Sequence, residues 1–241
     1  MQFGEDDGSG IELVLAHLHK TFPEIDSLYY VINLKKNETF NDQEVVLYKG
    51  KPYIEEYIEN LLFKIGPKSF FQTNTSQTAK LYQKALDMAD LTGKETVYDL
   101  YCGTGTIANF IARKAEKVIG IEVIAEAVED ARENALLNGI QNTTFITGDI
   151  KDMLSDSFTS AHGHPDVIIT DPPRAGMHED AVAGIIALNP MRIIYISCNP
   201  ATQARDLIRL TERYSILEVQ PFDMFPHTHH LENIVSLKRK D

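Results

Sequence analysis

Cysteine is scarce here: Cys102 and Cys198 are the only two thiols among 241 residues. Two cysteines make no disulfide framework, and no Cys/His spacing matches a zinc or iron–sulfur site. Long apolar stretches are missing as well. No run approaches the ~18 residues that a membrane-crossing helix needs. The amino end, Met1 to Gly8, is acidic and lacks the basic start and apolar core of a secretory leader. These shortages point to a cytoplasmic protein with no membrane partner. Basic charge is short too, with 23 Lys and Arg against 35 Asp and Glu, a net charge of −12. A stand-alone nucleic-acid binder takes most of its affinity from phosphate neutralisation. Bulk charge therefore argues against RNA or DNA, unless a local basic lining or a basic domain elsewhere supplies the contact.

What is present is a regular alternation of elements. Ile11, Val14, Leu15, Leu18 and Phe22 repeat at helical spacing, and residues 27–34 and 44–48 read as strands around a polar turn from Asn37 to Asp42. This first part, residues 1–70, is expected to be a small α+β unit without chemistry of its own. From residue 71 to 241 the pattern changes. Thr75 or Ser76 can cap a helix to about Ala89. Strands at 95–101, 117–122, 143–147, 166–170 and 192–197 then alternate with helices at 105–115, 124–138, 178–188 and 200–213. Strands at 215–220 and 231–238 close the chain. Apolar strands separated by helices predict an α/β fold, a doubly wound, Rossmann-like parallel sheet covered on both faces.

In such a sheet, ligands sit beyond the carboxyl ends of the strands. Gly103, Gly105, Glu122, Asp149, Asp171 and Cys198 all fall at or just after strand ends. If the last strand runs antiparallel, Glu232 begins it at that same edge. Asp99-x-x-x-Gly103-x-Gly105 is a turn where backbone must approach a ligand closely. Glu122, 19 residues after Gly103, stands where a carboxylate would hold a ribose diol. NAD and S-adenosylmethionine both suit these two features. The third glycine of an NAD turn is replaced by Ala108, and Asp149 with Asp171-Pro172-Pro173-Arg174 fits the S-adenosylmethionine pattern better. The two prolines make a stiff loop that holds a carboxylate and a carbonyl toward a reacting base. Amine methyltransferases carry an aromatic residue where Arg174 stands, which argues against amine methylation and leaves Arg174 as a substrate contact.

A lone cysteine is most often a small buried hydrophobe. That reading suits Cys102, inside the glycine turn. It does not suit Cys198, because Asn199-Pro200 ends the strand and presents the thiol at the rim. A single Glu at a strand start is by default a solvated charge, and Glu232 departs from that only through the company it keeps. His227, His229 and His230 have no carboxylate-rich partner segment, so no metal is expected there.

Phe70-Phe71-Gln72-Thr73-Asn74, Asp99 to Thr106, Asp171 to Gly176, Ser197-Cys198-Asn199-Pro200 and Pro226 to Glu232 occur here in that order. In these motifs the chain resembles the RNA 5-methyluridine methyltransferases, and within them the 23S ribosomal RNA (uracil-5-)-methyltransferase branch. The resemblance runs from about residue 10 to the end. It implies a class I S-adenosylmethionine-dependent methyltransferase domain that methylates uridine C5 in RNA, ribosomal RNA foremost. It also implies that Gln72, Tyr101, Thr106, Glu122, Asp149 and Asp171 line the S-adenosyl-L-methionine pocket, with Cys198 as nucleophile and Glu232 as base. Thr106 stands where many relatives have Asn. Relatives usually begin with a β-barrel RNA-binding domain, and many carry an iron–sulfur segment; neither is in this sequence, which is therefore expected to be the catalytic portion of a longer protein.

The chemistry this implies is that of uracil. C5 becomes nucleophilic when a thiolate adds at C6, and a carboxylate must then remove the C5 proton so that the thiolate can leave. One alternative is a cytosine-5 methyltransferase, but its Pro-Cys pair is absent, since Pro173 is followed by Arg174. Another is a non-catalytic RNA module that kept the cofactor pocket.

Overall fold

A computed structural model describes residues 1–35 and 42–241. The chain divides into two compact units, Met1–Glu56 with Lys64–Ser69, and Tyr57–Phe63 with Phe70–Asp241. In the smaller unit, β1 (Gln2–Phe3) lies parallel to β2 (Ser27–Ile32), which pairs antiparallel with β3 (Val45–Gly50). Helix α1 (Gly8–Thr21) buries Ile11 and Leu15 with Leu28, the face its helical spacing predicts. The expected turn at Asn37 to Asp42 lies, up to Asn41, outside the described residues. Strands β4 (Ile54–Ile58) and β5 (Leu61–Ile65) form a two-stranded sheet that the sequence pattern did not announce. Their turn is Glu59-Asn60, with Glu59 at φ 52°, and it lacks the Asn-Gly type of signal that marks a short hairpin.

The larger unit opens with α2 (Thr75–Ala89), β6 (Thr96–Leu100), α3 (Thr106–Ile111) and β7 (Lys117–Glu122). Then come α4 (Ala125–Leu137), β8 (Thr143–Thr147), two short helices α5 (Ile150–Met153) and α6 (Asp156–His162), and β9 (Val167–Thr170). The chain ends with α7 (Glu179–Leu188), β10 (Arg192–Ser197), α8 (Pro200–Leu210), β11 (Tyr214–Phe222) and β12 (Glu232–Arg239). Seven strands form one sheet in the order β11-β12-β10-β9-β6-β7-β8. The strands from β10 to β8 are mutually parallel, while β12 is antiparallel to both β10 and β11. This is the doubly wound α/β fold.

The central strands carry apolar residues on both faces because both faces are covered. Ile193, Ile194, Tyr195 and Ile196 of β10 are all fully buried, as are Ile168 and Ile169 of β9. Strand β6 has β7 on one side and β9 on the other, and the chain winds away in both directions from it. In folds of this kind the ligand crevice lies beyond the carboxyl ends of these strands. Local boundaries differ from expectation in small ways. Asn74 caps α2 by accepting from the Gln77 N–H at 3.3 Å, in place of Thr75 or Ser76. Helix α3 is shorter than expected and passes into a 3-10 turn over Ala112–Lys114.

Candidate functional site

The turn after β6 is built on positive φ angles at Tyr101 (63°), Gly103 (52°) and Gly105 (74°). Gly105 must be glycine for packing as well, since a Cβ there would lie 2.8 Å from Phe145 Cζ and 2.9 Å from Ala131 Cβ. At Gly103 a Cβ would meet nothing within 4 Å, so that side of the turn faces open space. Beneath it Cys102 is buried, and burial pushes its thiol well up, as suits a packing residue. Asp99 Oδ2 accepts from the Ala108 N–H at 2.9 Å and ties the turn to α3.

Glu122, at the end of β7, is held almost entirely by backbone. Its Oε1 accepts from Val123 and Ile124 N–H at 2.8 and 3.0 Å, and its Oε2 from Gly103 N–H at 3.2 Å. That geometry fixes the carboxylate at the lip of the glycine turn while leaving Oε2 lone pairs for a hydroxyl donor. A nucleoside diol fits this cradle: an anchored acceptor beside a turn with room for a ligand. Asp149 follows β8 on the same rim but is exposed and bound to Lys151 Nζ at 3.0 Å, which holds its carboxyl below the usual range. Thr106 shares a 2.8 Å hydrogen bond with the buried Tyr82 hydroxyl. Tyr101 packs against the main core, and burial pushes its phenol up to about 12.

The other half of the rim carries Asp171, Arg174, Cys198 and Glu232. Strand β10 pairs with β12 up to Ser197 opposite Asn233. Cys198 follows directly on β10 and Glu232 is the first residue of β12, so both stand at the same end of this strand pair, near enough for Glu232 to act on the thiol. Glu232 is 7% exposed, and its Oε2 is buried without a hydrogen-bond partner. Gln72 bonds its carboxyl, but burial and the nearby Asp171 outweigh that and push it up to about 8. Burial alone pushes Asp171 up to about 7. The Cys198 thiol is half-buried and raised by burial, then by Glu232 and Asp171, while a hydrogen bond from the Arg174 guanidinium works in the opposite direction. Arg174 Nη2 also lies 3.5 Å from His230 Nδ1. Among the described residues no group of three or more His, Cys, Asp or Glu is arranged to hold a metal ion, and no helix is long and apolar enough to cross a membrane.

Gln72, Asp171, Arg174, Cys198 and Glu232 thus converge, and Gly103, Gly105 and Glu122 form a second cluster along the same edge. Asp149 shares the edge and points to its own lysine. Three neighbours escaped the sequence reading. Tyr82 reads as one more apolar position on α2, although its hydroxyl braces Thr106. Asn74 donates to the Met224 carbonyl at 2.8 Å and Gln77 to the Asp223 carbonyl at 3.2 Å, so the start of α2 holds the segment leading to β12. Of the three, only Asn74 lies in a motif that the sequence singles out, Phe70 to Asn74.

The family model for tRNA (uracil-5-)-methyltransferases matches residues 41–240. An uncharacterized RNA methyltransferase of Porphyromonas gingivalis is 59% identical over 239 residues, covering 98% of this chain and 51% of its own length. The crystal structure of the Pyrococcus abyssi tRNA (uracil-54, C5)-methyltransferase in complex with S-adenosyl-L-homocysteine superposes with a TM-score of 0.76 at 33% identity. That match covers 91% of this chain and 52% of the archaeal one. At 18% identity and a TM-score of 0.66, Trm5b from the same organism shares the fold. The chain spans about half the length of the curated relatives it matches. By sequence and by structure, the chain belongs to the tRNA (uracil-5-)-methyltransferase family.

Proposed function

We propose that the larger unit is the catalytic domain of an enzyme that methylates uridine C5 in RNA with S-adenosyl-L-methionine as donor. The observation that carries this reading is the meeting of Cys198, just past the end of β10, with Glu232, the first residue of β12: a thiol near a carboxyl whose second oxygen is buried and uncommitted. When bound, S-adenosyl-L-methionine supplies an electrophilic methyl group. The proposed cradle for it is Gly103, Gly105, Thr106, Tyr101 and Glu122, with Gln72, Asp149 and Asp171 as further contacts; the anchored Glu122 and the open side of Gly103 support that fit.

The remaining steps fall to the chain's own residues. Cys198 as thiolate forms a bond to C6 of the target uracil, and the ring's electrons shift to the C4 carbonyl and C5. Once C5 carries the methyl, Glu232 removes its proton, the C5–C6 double bond re-forms and the thiolate leaves. Arg174, already on the thiol, is suited to hold negative charge on sulfur and to face the incoming base. The uracil must be unstacked to reach this rim, which costs a few kcal/mol and least in a loop.

The motif set resembles the ribosomal RNA branch, and we propose 23S ribosomal RNA as the substrate. The 33% identical archaeal structure, a tRNA enzyme by its description, favours tRNA as the second reading. Incubation with methyl-labelled cofactor and each RNA separately, followed by nucleoside analysis, tests both. Labelled 5-methyluridine in one RNA is expected. Label in cytidine or adenosine, or in neither RNA, would overturn the proposal.

A further inference from the structure

The loop from Asp171 to Met177 has no regular structure, yet α8 and its capping Asn199 grip its second half. Asn199 Nδ2 and Thr202 Oγ1 both donate to the Arg174 carbonyl, at 3.0 and 3.2 Å. Arg205 Nη2 donates to the carbonyls of Ala175 and Met177, at 3.0 and 3.2 Å. The Met177 N–H in turn donates to Asp206 Oδ2 at 2.9 Å. Asp206 is 4% exposed and also accepts from the Tyr195 hydroxyl at 2.7 Å and from Arg205 Nε at 2.9 Å. Both oxygens of Asp206 are thus engaged, which offsets the cost of burying its charge. The turn beneath the clamp has no slack. Gly176 sits at φ 78°, and a Cβ on it would lie 2.5 Å from Arg205 Nη2 and 2.8 Å from Asp206 Oδ2.

Two positions of the gripped loop bear on the thiol's surroundings. Asp171 begins it and acts on Glu232, and Arg174 in its middle acts on Cys198 in the direction that favours the thiolate. Two prolines already stiffen the first half, so the clamp closes the half that is otherwise free to turn. We propose that Asp206 is a positioning residue for the thiol chemistry: through Arg205 and the Met177 amide it fixes the loop so that the Arg174 guanidinium stays on Cys198. The inference rests on Cys198 being the nucleophile of the proposed reaction. A carboxylate buried only to fold α8 onto the sheet would show the same bonds, and the test must separate the two roles.

Asp206→Asn keeps the volume but turns an amide N–H₂ toward one of three donors. The full chain, wild type and variants, is alkylated with iodoacetamide across a pH series, and the Cys198 peptide is followed by mass spectrometry alongside a thermal melt. The thiolate fraction at fixed pH is expected to fall about tenfold in Asp206→Asn and in Arg174→Ala alike. In the double variant it should fall no further than in Arg174→Ala, because both changes remove one interaction. A folded Asp206→Asn protein with the wild-type profile, or a double variant whose loss is the product of the two single losses, would overturn the proposal. Should Asp206→Asn not fold, Tyr195→Phe, which removes a single bond to Asp206, is read in the same way, with a smaller shift of the same sign expected and no shift overturning it. A Cys198→Ala enzyme that still transferred methyl would sink the nucleophile reading instead, and the alkylation series would still decide the role of Asp206.

Discussion

The two halves of the rim treat their carboxylates in opposite ways. On the β6–β7 side, Glu122 accepts three backbone N–H bonds and is locked in place as the chain folds. On the β10–β12 side, Glu232 is just as buried but keeps Oε2 without a partner, and its neighbour Asp171 adds repulsion. A fully bonded carboxylate is a fixed acceptor, suited to recognising a hydroxyl pair. A carboxyl left partly unsatisfied in a buried site is costly, and such costs concentrate where a proton must be taken up or released. On the proposed function, one side serves binding and the other proton transfer.

The largest effect that sharpens this contrast is expected at Glu232. Glu232→Gln keeps the shape and cannot accept a proton, so turnover should fall by about 10² to 10⁴. A denaturation-resistant RNA–protein adduct should then accumulate with ordinary uridine. Wild-type turnover in this variant would return Glu232 to the role of a plain strand-start charge. On the binding side, Glu122→Ala should weaken cofactor affinity by about 1.5–3 kcal/mol, roughly ten- to a hundredfold by calorimetry. Asp149→Ala should cost far less, because its carboxylate is exposed and already serves Lys151. Equal losses at the two positions would erase the distinction between an anchored and a peripheral acceptor.

Gly105→Ala should destabilise the fold by about 1–3 kcal/mol, from the clash with Phe145 and the positive φ. Gly103→Ala should cost only about 1 kcal/mol, the backbone strain alone, while obstructing the open side of the turn. Chemical denaturation of the two variants separates them. A further effect is one of pH. Glu232 ionises near 8 in the folded protein against 4.5 unfolded, so the folded state holds the proton more tightly. Stability is therefore present at low pH and lost as pH rises between those values, by up to about 1.4 kcal/mol per unit. Asp171, raised from 3.8 to about 7, adds a loss of the same sign. Melting curves of Glu232→Gln should fall less between about pH 5 and 8 than those of the wild type, and parallel curves would show the carboxyl to be unstrained.

The sheet was legible because its strands are long apolar runs such as Ile193 to Ile196, and because the rim rule needs only strand ends. Glu232 could be brought to that rim on one assumption, an antiparallel last strand, which the pairing of β12 with β10 meets. Other features left no trace in one dimension. The β4–β5 turn lacks a glycine, and α5 and α6 are too short to show a period. Asp206 lies on an amphipathic helix between Arg205 and Leu207, where an acid reads as a solvated charge. Only the packing of α8 on β10 reveals that it is buried against Tyr195. Tyr82 was hidden for the converse reason, a polar tip on a residue whose ring belongs to the core beside Phe110.

The claim beneath all of this is that Cys198, near Glu232 at the same strand ends, adds to the uracil ring. RNA carrying 5-fluorouracil at the target position tests it most directly, since fluorine at C5 cannot leave as a proton. Wild-type protein with S-adenosyl-L-methionine should form a stable covalent complex, and peptide mass spectrometry should place the methylated fluoropyrimidine on Cys198. Cys198→Ala should form none while binding the cofactor as before. A complex formed through Cys102, or methyl transfer by Cys198→Ala without any adduct, would contradict the account.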